Sequence, residues 1–475
     1  MISMAKHVVI IGGGITGLSA AFYLKQAMKA KETPVRITVL EKGDSFGGKI
    51  HTLKKDGFII EKGPDSFLAR KMPIIDLTRE LGLEDQLVPM NPDARKTYIL
   101  SSGKLHRMPQ GLMLGIPTEV GPFMRTGLLS IGGKARAALD LVLPKRTSQE
   151  DESLGHFLER RLGTEVLGRI AEPLLAGIYA GDTYKLSLQA TFPQFRSIEQ
   201  KHRSLILGMM KNRKSGGEES RTLPDAARNS MFLSYEEGLE TIVHGLLDAL
   251  DDVHLVTKTG VSSVRKAEEG YEVVLENGSV EQADGVIVAL PGYGIAKLLG
   301  DEVAGVKELD RIDYVSVANV ILAFDEKDIP KGLDGSGFLV PRKEGRFITA
   351  CTWTSKKWLH TAPAGKVLLR CYVGRSGDDR WQHMSEEELI RAVRQDLKDM
   401  MGISSEPLFT EITEMKRSMP QYPVGHLDLV RRVRQALSER MPKVKIAGAA
   451  FHGVGLPDCI RQGKEVANEL AGQLV

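Results

Sequence analysis

Three glycines near the start of the chain have the spacing that a bound pyrophosphate requires. Gly12, Gly14 and Gly17 sit in "HVVIIGGGITGLSAAFYL" as G-x-G-x-x-G, between an apolar run and a helical pattern. Gly12 permits a tight turn. Gly14 lets the backbone approach phosphates, with Gly13 between them, and Gly17 lets the helix lie close to the strand. The helix opening at Ile15 and Thr16 then presents free N–H groups and a positive dipole end to the ligand. Downstream, "VRITVLEKG" reads as a second strand rich in β-branched residues. It ends in Glu41, with Lys42 after it. A carboxylate there is placed to accept hydrogen bonds from a ribose diol. The competing reading, a glycine turn without ligand followed by a solvated strand-end charge, explains neither the order nor the spacing.

These residues need a domain to carry them. The chain has 475 residues, too many for one compact core, which implies two or three lobes. It carries 64 Lys+Arg against 61 Asp+Glu, a net charge of +3, which excludes a strongly basic nucleic-acid binder by global charge. Cys351, Cys371 and Cys459 are far from any C-x-x-C spacing and supply neither a disulfide framework nor a zinc site. No metal-ligand spacing is present. The first apolar run reads as a strand, not a signal peptide, and no apolar run approaches membrane-spanning length. The expectation is a cytoplasmic protein with at most peripheral membrane contact.

Further motifs narrow the class. Gly47-Gly48-Lys49 follows the ribose carboxylate, and Gly63-Pro64-Asp65-Ser66 follows that. Near the C-terminus, "KVKIAGAAFHGVGLPDCIRQGKEVANEL" reads as strand, glycine loop and helix. In this order the chain resembles the amine-oxidase-like flavoprotein superfamily. The resemblance implies non-covalent FAD, the GGK turn packing along it and the GPDS segment passing its ring. Val454, Gly455 and Leu456 are implied to lie against the flavin, at the start of a helix whose dipole stabilises charge on the reduced ring. It also implies that Val261 flanks the adenine and that Met415 packs on the flavin at a position often held by Trp.

"EPLLAGIYAGDTYKLSLQATFPQF", "EQKHRSLILGMM" and "MPQYPVGH" are similar to the protoporphyrinogen/coproporphyrinogen oxidase family, nearest its soluble Gram-positive type. That resemblance implies oxidation of coproporphyrinogen III to coproporphyrin III in haem biosynthesis, with O2 as acceptor and hydrogen peroxide as by-product. Protoporphyrinogen IX is the alternative substrate. Rival readings are an amine oxidase or carotenoid desaturase, and a non-catalytic flavin or porphyrin binder. Hydride removal from a methylene bridge demands no catalytic side chain. His202 and His452 read as structural. Substrate contacts are expected from Lys71, Arg70, Gly177 and Ile178, the last having helix core as its rival reading. Hand-off to a downstream haem-pathway enzyme is a further expectation.

The fold class expected is α/β, a discontinuous Rossmann-like FAD domain with a mixed-sheet substrate domain and a helical subdomain. Residues 1–70, 228–292 and 405–475 are assigned to the FAD domain. Residues 71–92 and 293–404 are assigned to the substrate domain, and 93–227 to the helical piece. Asn277-Gly278 predicts a hairpin turn. Ser385 and Glu388 predict a capping box. Residues 213–220 read as an exposed loop, and the basic stretch 95–146 as either a charged surface or a membrane-docking or substrate-guiding one.

Overall fold

The computed structural model describes residues 5–215, 223–228, 230–330 and 332–475. Its first strand, Lys6–Ile11, is the middle of a five-stranded parallel sheet. On one side lie Val35–Leu40 and His254–Val256; on the other lie Gly285–Val288 and Val444–Ile446. Val8 and Ile10 face one apolar cluster and Val9 and Ile11 another, so both faces of the sheet are covered. That burial is why the strand is apolar at every position from Val8 to Ile11 and does not alternate. One face packs against the first helix, Ile15–Ala30, and the last, Leu456–Leu474. These two helices touch closely: a Cβ on Gly463 would meet the Thr16 carbonyl oxygen at 2.6 Å. The opposite face carries a small antiparallel sheet, Val261–Lys266, Tyr271–Leu275 and Val280–Ala283. The hairpin between its last two strands turns at Gly278, φ +88°.

A second sheet has seven strands. In spatial order they are Phe409–Pro420, Tyr314–Asp325, Lys366–Val373, Ile348–Trp353, Gly337–Leu339, Thr97–Ser101 and Lys104–Arg107. Helix Glu386–Met401 covers one face through Leu389, Val393 and Leu397, and opens with the expected Ser385–Glu388 capping box. A third layer is helical, from Val120–Arg125 to Leu205–Ser215. At its centre the fully buried Arg161 is neutralised by Asp140 and Glu199.

The structure moves three expected boundaries. Residues 93–107 are not part of the helical piece: two of the seven strands lie there, because "TYIL" and "KLHR" pair as a hairpin. Phe409–Pro420 belongs to the seven-stranded sheet through its long pairing with Tyr314–Asp325, so the last nucleotide-domain segment starts after it. Segment 71–92 also changes side. Ile74, Ile75, Leu77 and Leu87 join the core beneath the first and last helices, not the second sheet. Of the expected 213–220 loop, residues up to Ser215 continue a helix and the remainder lies outside the described residues. Among the described residues no helix is long and apolar enough to cross a membrane, and no cluster of potential metal ligands occurs.

Candidate active site

The glycine turn joins the first strand to the first helix, and its glycines serve different ends. Gly12 has φ +104°, and a Cβ there would lie 2.5 Å from the Ala289 carbonyl oxygen. A Cβ on Gly17 would lie 1.9 Å from the carbonyl oxygen of Gly12. Gly13 is pressed against Phe46. These three are required by the protein's own packing. At Gly14 a Cβ would meet nothing closer than the Gly48 Cα at 3.9 Å. Gly47 bridges to Gly14 and its N–H donates to the Gly13 carbonyl at 2.9 Å, so the two glycine turns pack directly on each other. The first helix has no side-chain cap, which leaves its first-turn N–H groups for a ligand.

Glu41 ends the second strand with its carboxylate anchored. Its two oxygens accept from the N–H groups of Gly13 and Gly43, each at 2.7 Å. Residue 41 is also tied by backbone to the approach of the small sheet: its N–H donates to Val256 and its carbonyl accepts from Thr259. That brings Val261 to the same end of the parallel sheet. The Lys42 side chain turns outward instead, to Glu276 at 2.8 Å. Its ammonium takes no part in the cradle.

Lys49 connects the two sheets. Its ammonium donates to the Ser418 carbonyl on strand Phe409–Pro420, three residues beyond the half-buried Met415. Desolvation lowers its pKa. Close by, a Cβ on Gly63 would fall 1.7 Å from the Lys49 carbonyl oxygen, so only glycine fits there. The Gly63-Pro64-Asp65-Ser66 segment is held from the second sheet. Arg370, 4% exposed, donates to the carbonyls of Glu61 and Gly63. Asp65 accepts from Ser66 at 2.8 Å and pairs with Lys357 at 3.3 Å. Burial pushes the Asp65 pKa up, but the charges of Lys357 and Arg370 outweigh it and hold the group at about 2. Glu61 goes the other way: burial raises it to about 7 despite hydrogen bonds from Leu239 N–H and Thr52. Lys357, Arg370 and Glu61 were not singled out in the sequence. Arg370 carried a signal, a cation inside the apolar strand "KVLLRCYV", where an unpaired charge is too costly to bury.

The last helix begins after Val454 and Gly455, at Leu456, again without a side-chain cap. Its Asp458 lies 3.2 Å from the Lys71 ammonium. Lys71 therefore has an internal partner in addition to any substrate role. Arg70 is exposed at the same edge. Cys459 is buried and hydrogen-bonded to Thr16, and burial raises its thiol to about 11, which makes it a packing residue. Gly177 and Ile178 lie on helix Glu172–Tyr179. A Cβ on Gly177 would meet nothing, and Ile178 is 40% exposed, which removes the helix-core reading.

The residues present fit a dinucleotide at the Gly12–Gly17 turn: a helix start without a side-chain cap follows it, and the anchored Glu41 ends the next strand. Gly14, where no close contact obstructs the backbone, the two uncapped helix starts and the anchored Glu41 are the features that such a ligand would use. The family described as Flavin containing amine oxidoreductase matches residues 15–471. The chain is 47% identical to Coproporphyrinogen III oxidase of Bacillus subtilis (strain 168), covering 98% of this chain and 97% of the relative. It is 40% identical to Coproporphyrinogen III oxidase of Staphylococcus aureus (strain NCTC 8325 / PS 47), covering 99% and 100%. A crystal structure from Exiguobacterium sp. 255-15 superposes with a TM-score of 0.87 at 38% identity, covering 98% and 99%. The chain belongs to the flavin containing amine oxidoreductase family.

Proposed function

We propose that the chain oxidises coproporphyrinogen III to coproporphyrin III, with FAD as cofactor and O2 as acceptor, in haem biosynthesis. The observation that carries this reading is 47% and 40% identity, over nearly the full length, to the two coproporphyrinogen III oxidases. Held by the protein, FAD would supply two-electron chemistry: three hydrides taken from bridging methylenes, each with loss of a pyrrole N–H proton, balanced by reduction of three O2 to three hydrogen peroxide. The protein's own work is positional. Gly12–Gly17 and the N–H groups after Ile15 bind the pyrophosphate, and Glu41 orients the ribose. Val261 flanks the adenine. Lys49 and the 63–66 segment fix the cofactor's course between the sheets, with Met415, Val454, Gly455 and Leu456 closing on it. Asp65 stays ionised throughout the physiological range because Lys357 and Arg370 hold its pKa down, so it keeps that segment rigid during turnover. Gly177 and Ile178 give a flat macrocycle close approach, and Lys71 exchanges Asp458 for a substrate carboxylate. Arg70 supports it from the exposed edge.

The site needs no metal, and the working location is the cytoplasm, with hand-off of product to a downstream haem-pathway enzyme. Membrane contact is peripheral at most. Val120, Met124, Ile131 and Val142 are 52–87% exposed, next to Arg125 and Lys134. Such a surface binds anionic vesicles weakly and releases them in high salt; co-sedimentation that persists in high salt would refute that.

The test of function is direct. Purified protein should be yellow, and coproporphyrinogen III should yield fluorescent coproporphyrin III with stoichiometric peroxide, faster than protoporphyrinogen IX is oxidised. Preference for protoporphyrinogen IX would favour the alternative substrate. Turnover of amines without porphyrinogens, or porphyrin binding without peroxide, would overturn the reading.

A further inference from the structure

Two arginines flank helix Glu172–Tyr179 and have no task in the cofactor site. Arg342 follows strand Gly337–Leu339, and Arg375 follows strand Lys366–Val373. Arg342 is fully engaged. It donates to Glu172 at 2.8 Å, to the Ser376 carbonyl at 2.8 Å and to the Gly181 carbonyl at 3.2 Å. Arg375 is not. Its Nε is buried without a partner, and among the described residues its guanidinium has no hydrogen bond and no carboxylate at ion-pair distance. The charges facing it are Arg342 and Arg380, which repel it, and Glu172 and Asp378, which attract it. Both acids are committed elsewhere: Glu172 to Arg342, and Asp378 to Arg380 at 2.7 and 2.8 Å. A half-buried guanidinium with its nearest acids taken keeps donors free for an arriving anion.

Its place in the fold indicates which anion. The strand that Arg375 follows carries Arg370, which holds the Gly63 carbonyl, and Tyr372, whose ring lies 5.1 Å from the Arg370 guanidinium. Arg375 is three residues beyond Tyr372, roughly 10 Å along the chain at strand spacing. There the Ser376 N–H donates to the Ala180 carbonyl at 2.7 Å, directly after the turn bearing Gly177 and Ile178. Tyr179 of the same turn feels the charge of Asp458, the partner of Lys71. A macrocycle lying on Gly177 would thus have cations near its rim at two separate places, and a guanidinium offers the planar fork that suits a carboxylate.

We propose that Arg375 binds a peripheral propionate of the porphyrinogen and selects the substrate with four propionates over the one with two. The proposal rests on the function inferred above and adds a specificity residue to it. Arg342 positions this contact by fixing the Ser376 backbone.

The experiment uses the holoenzyme with Arg375→Gln, Arg375→Lys and Arg375→Met. Initial rates are measured on coproporphyrinogen III and protoporphyrinogen IX, and coproporphyrin III binding is titrated by fluorescence. Arg375→Gln should raise KM for coproporphyrinogen about ten- to a hundredfold, with kcat within about twofold, and raise it less for protoporphyrinogen. Arg375→Lys should recover part of the loss, and flavin content and thermal midpoint should not move. An unchanged KM, or equal losses on both substrates, overturns the proposal. So does a loss that tracks a lowered thermal midpoint. Should the Gln variant fail to accumulate, Arg375→Met, which keeps the apolar stem, is read by the same criteria. If wild type oxidises neither porphyrinogen but its affinity for coproporphyrin III still depends on Arg375, the carboxylate site stands and the assigned reaction falls.

Discussion

Gly14 and Gly17 are three residues apart, and adding a methyl group to each has different consequences. At Gly17 the group would enter the Gly12 carbonyl; at Gly14 it would make only an ordinary van der Waals contact with the Gly48 Cα at 3.9 Å. Gly17→Ala should therefore destabilise the apoprotein by about 1–3 kcal/mol, as overpacking does. Gly14→Val should cost the apoprotein less, about 1 kcal/mol for a poor N-cap residue, and empty the flavin site. Denaturation of stripped protein, together with flavin absorbance of the holoprotein, separates the two; full occupancy in Gly14→Val would remove the pyrophosphate from this turn. Glu61 supports a second prediction, on pH. Its pKa is raised from 4.5 to about 7, so the folded state keeps a proton that the unfolded chain releases. Its contribution is complete below pH 4.5 and is lost as pH rises through 7, a change on the order of 3 kcal/mol. Asp65 has the reverse sign: its pKa is lowered from 3.8 to about 2, so its contribution is present above 3.8 and is lost toward 2. Urea midpoints from pH 5 to 7.5 should decline less in Glu61→Gln than in wild type. Parallel slopes would show that Glu61 is ionised in the folded protein.

Strand Lys366–Val373 does at the level of elements what no single motif does: it ties the cofactor segment to the second sheet. Arg370 satisfies two carbonyls, those of Glu61 and Gly63, from within an otherwise apolar strand. Arg370→Ala should cost about 2–4 kcal/mol, because both carbonyls stay buried and lose charge-assisted donors. It should also speed flavin release, which a stopped-flow displacement assay would detect. Loss of stability with unaltered release would confine Arg370 to folding. This strand also shows what can be read from a sequence. Period and turn chemistry gave the first βαβ unit, the Asn277-Gly278 hairpin and the Ser385 cap, since each is specified by neighbours in the chain. The strands at Thr97–Ser101 and Lys104–Arg107 were read as helical territory. The two pair with each other as a hairpin around Ser102-Gly103, a local signal that was missed, whereas the link of Thr97–Ser101 to Gly337–Leu339, more than two hundred residues away, leaves no local mark. Lys357 escaped notice for the same reason: its partner Asp65 is brought to it only by the fold.

The whole molecule is built so that one cleft is shared by distant stretches of chain. The parallel sheet takes strands from near residues 6, 35, 254, 285 and 444, and the first helix packs along the last. Glycines 12–17, Gly48, Gly63 and the start of the last helix can face a common ligand only when all of these are assembled. A dinucleotide bound across them should act as a staple, stabilising the folded state by RT ln(1 + [L]/Kd), about 4 kcal/mol at a thousandfold excess over Kd. Removing FAD should therefore lower the thermal midpoint, and adding it back should restore the midpoint in a concentration-dependent way. Hydrogen exchange locates the effect. Amides of residues 12–17 and of residues 455–459 should gain protection together on FAD addition, although they are separated by nearly the whole chain. Protection confined to the first segment would mean that the last helix does not meet the cofactor, and the placement of Val454, Gly455 and Leu456 against the flavin would be wrong. Joint protection that is lost in Gly14→Val but kept in Lys71→Ala would place the staple in the nucleotide cleft and leave the Lys71–Asp458 pair on the substrate side.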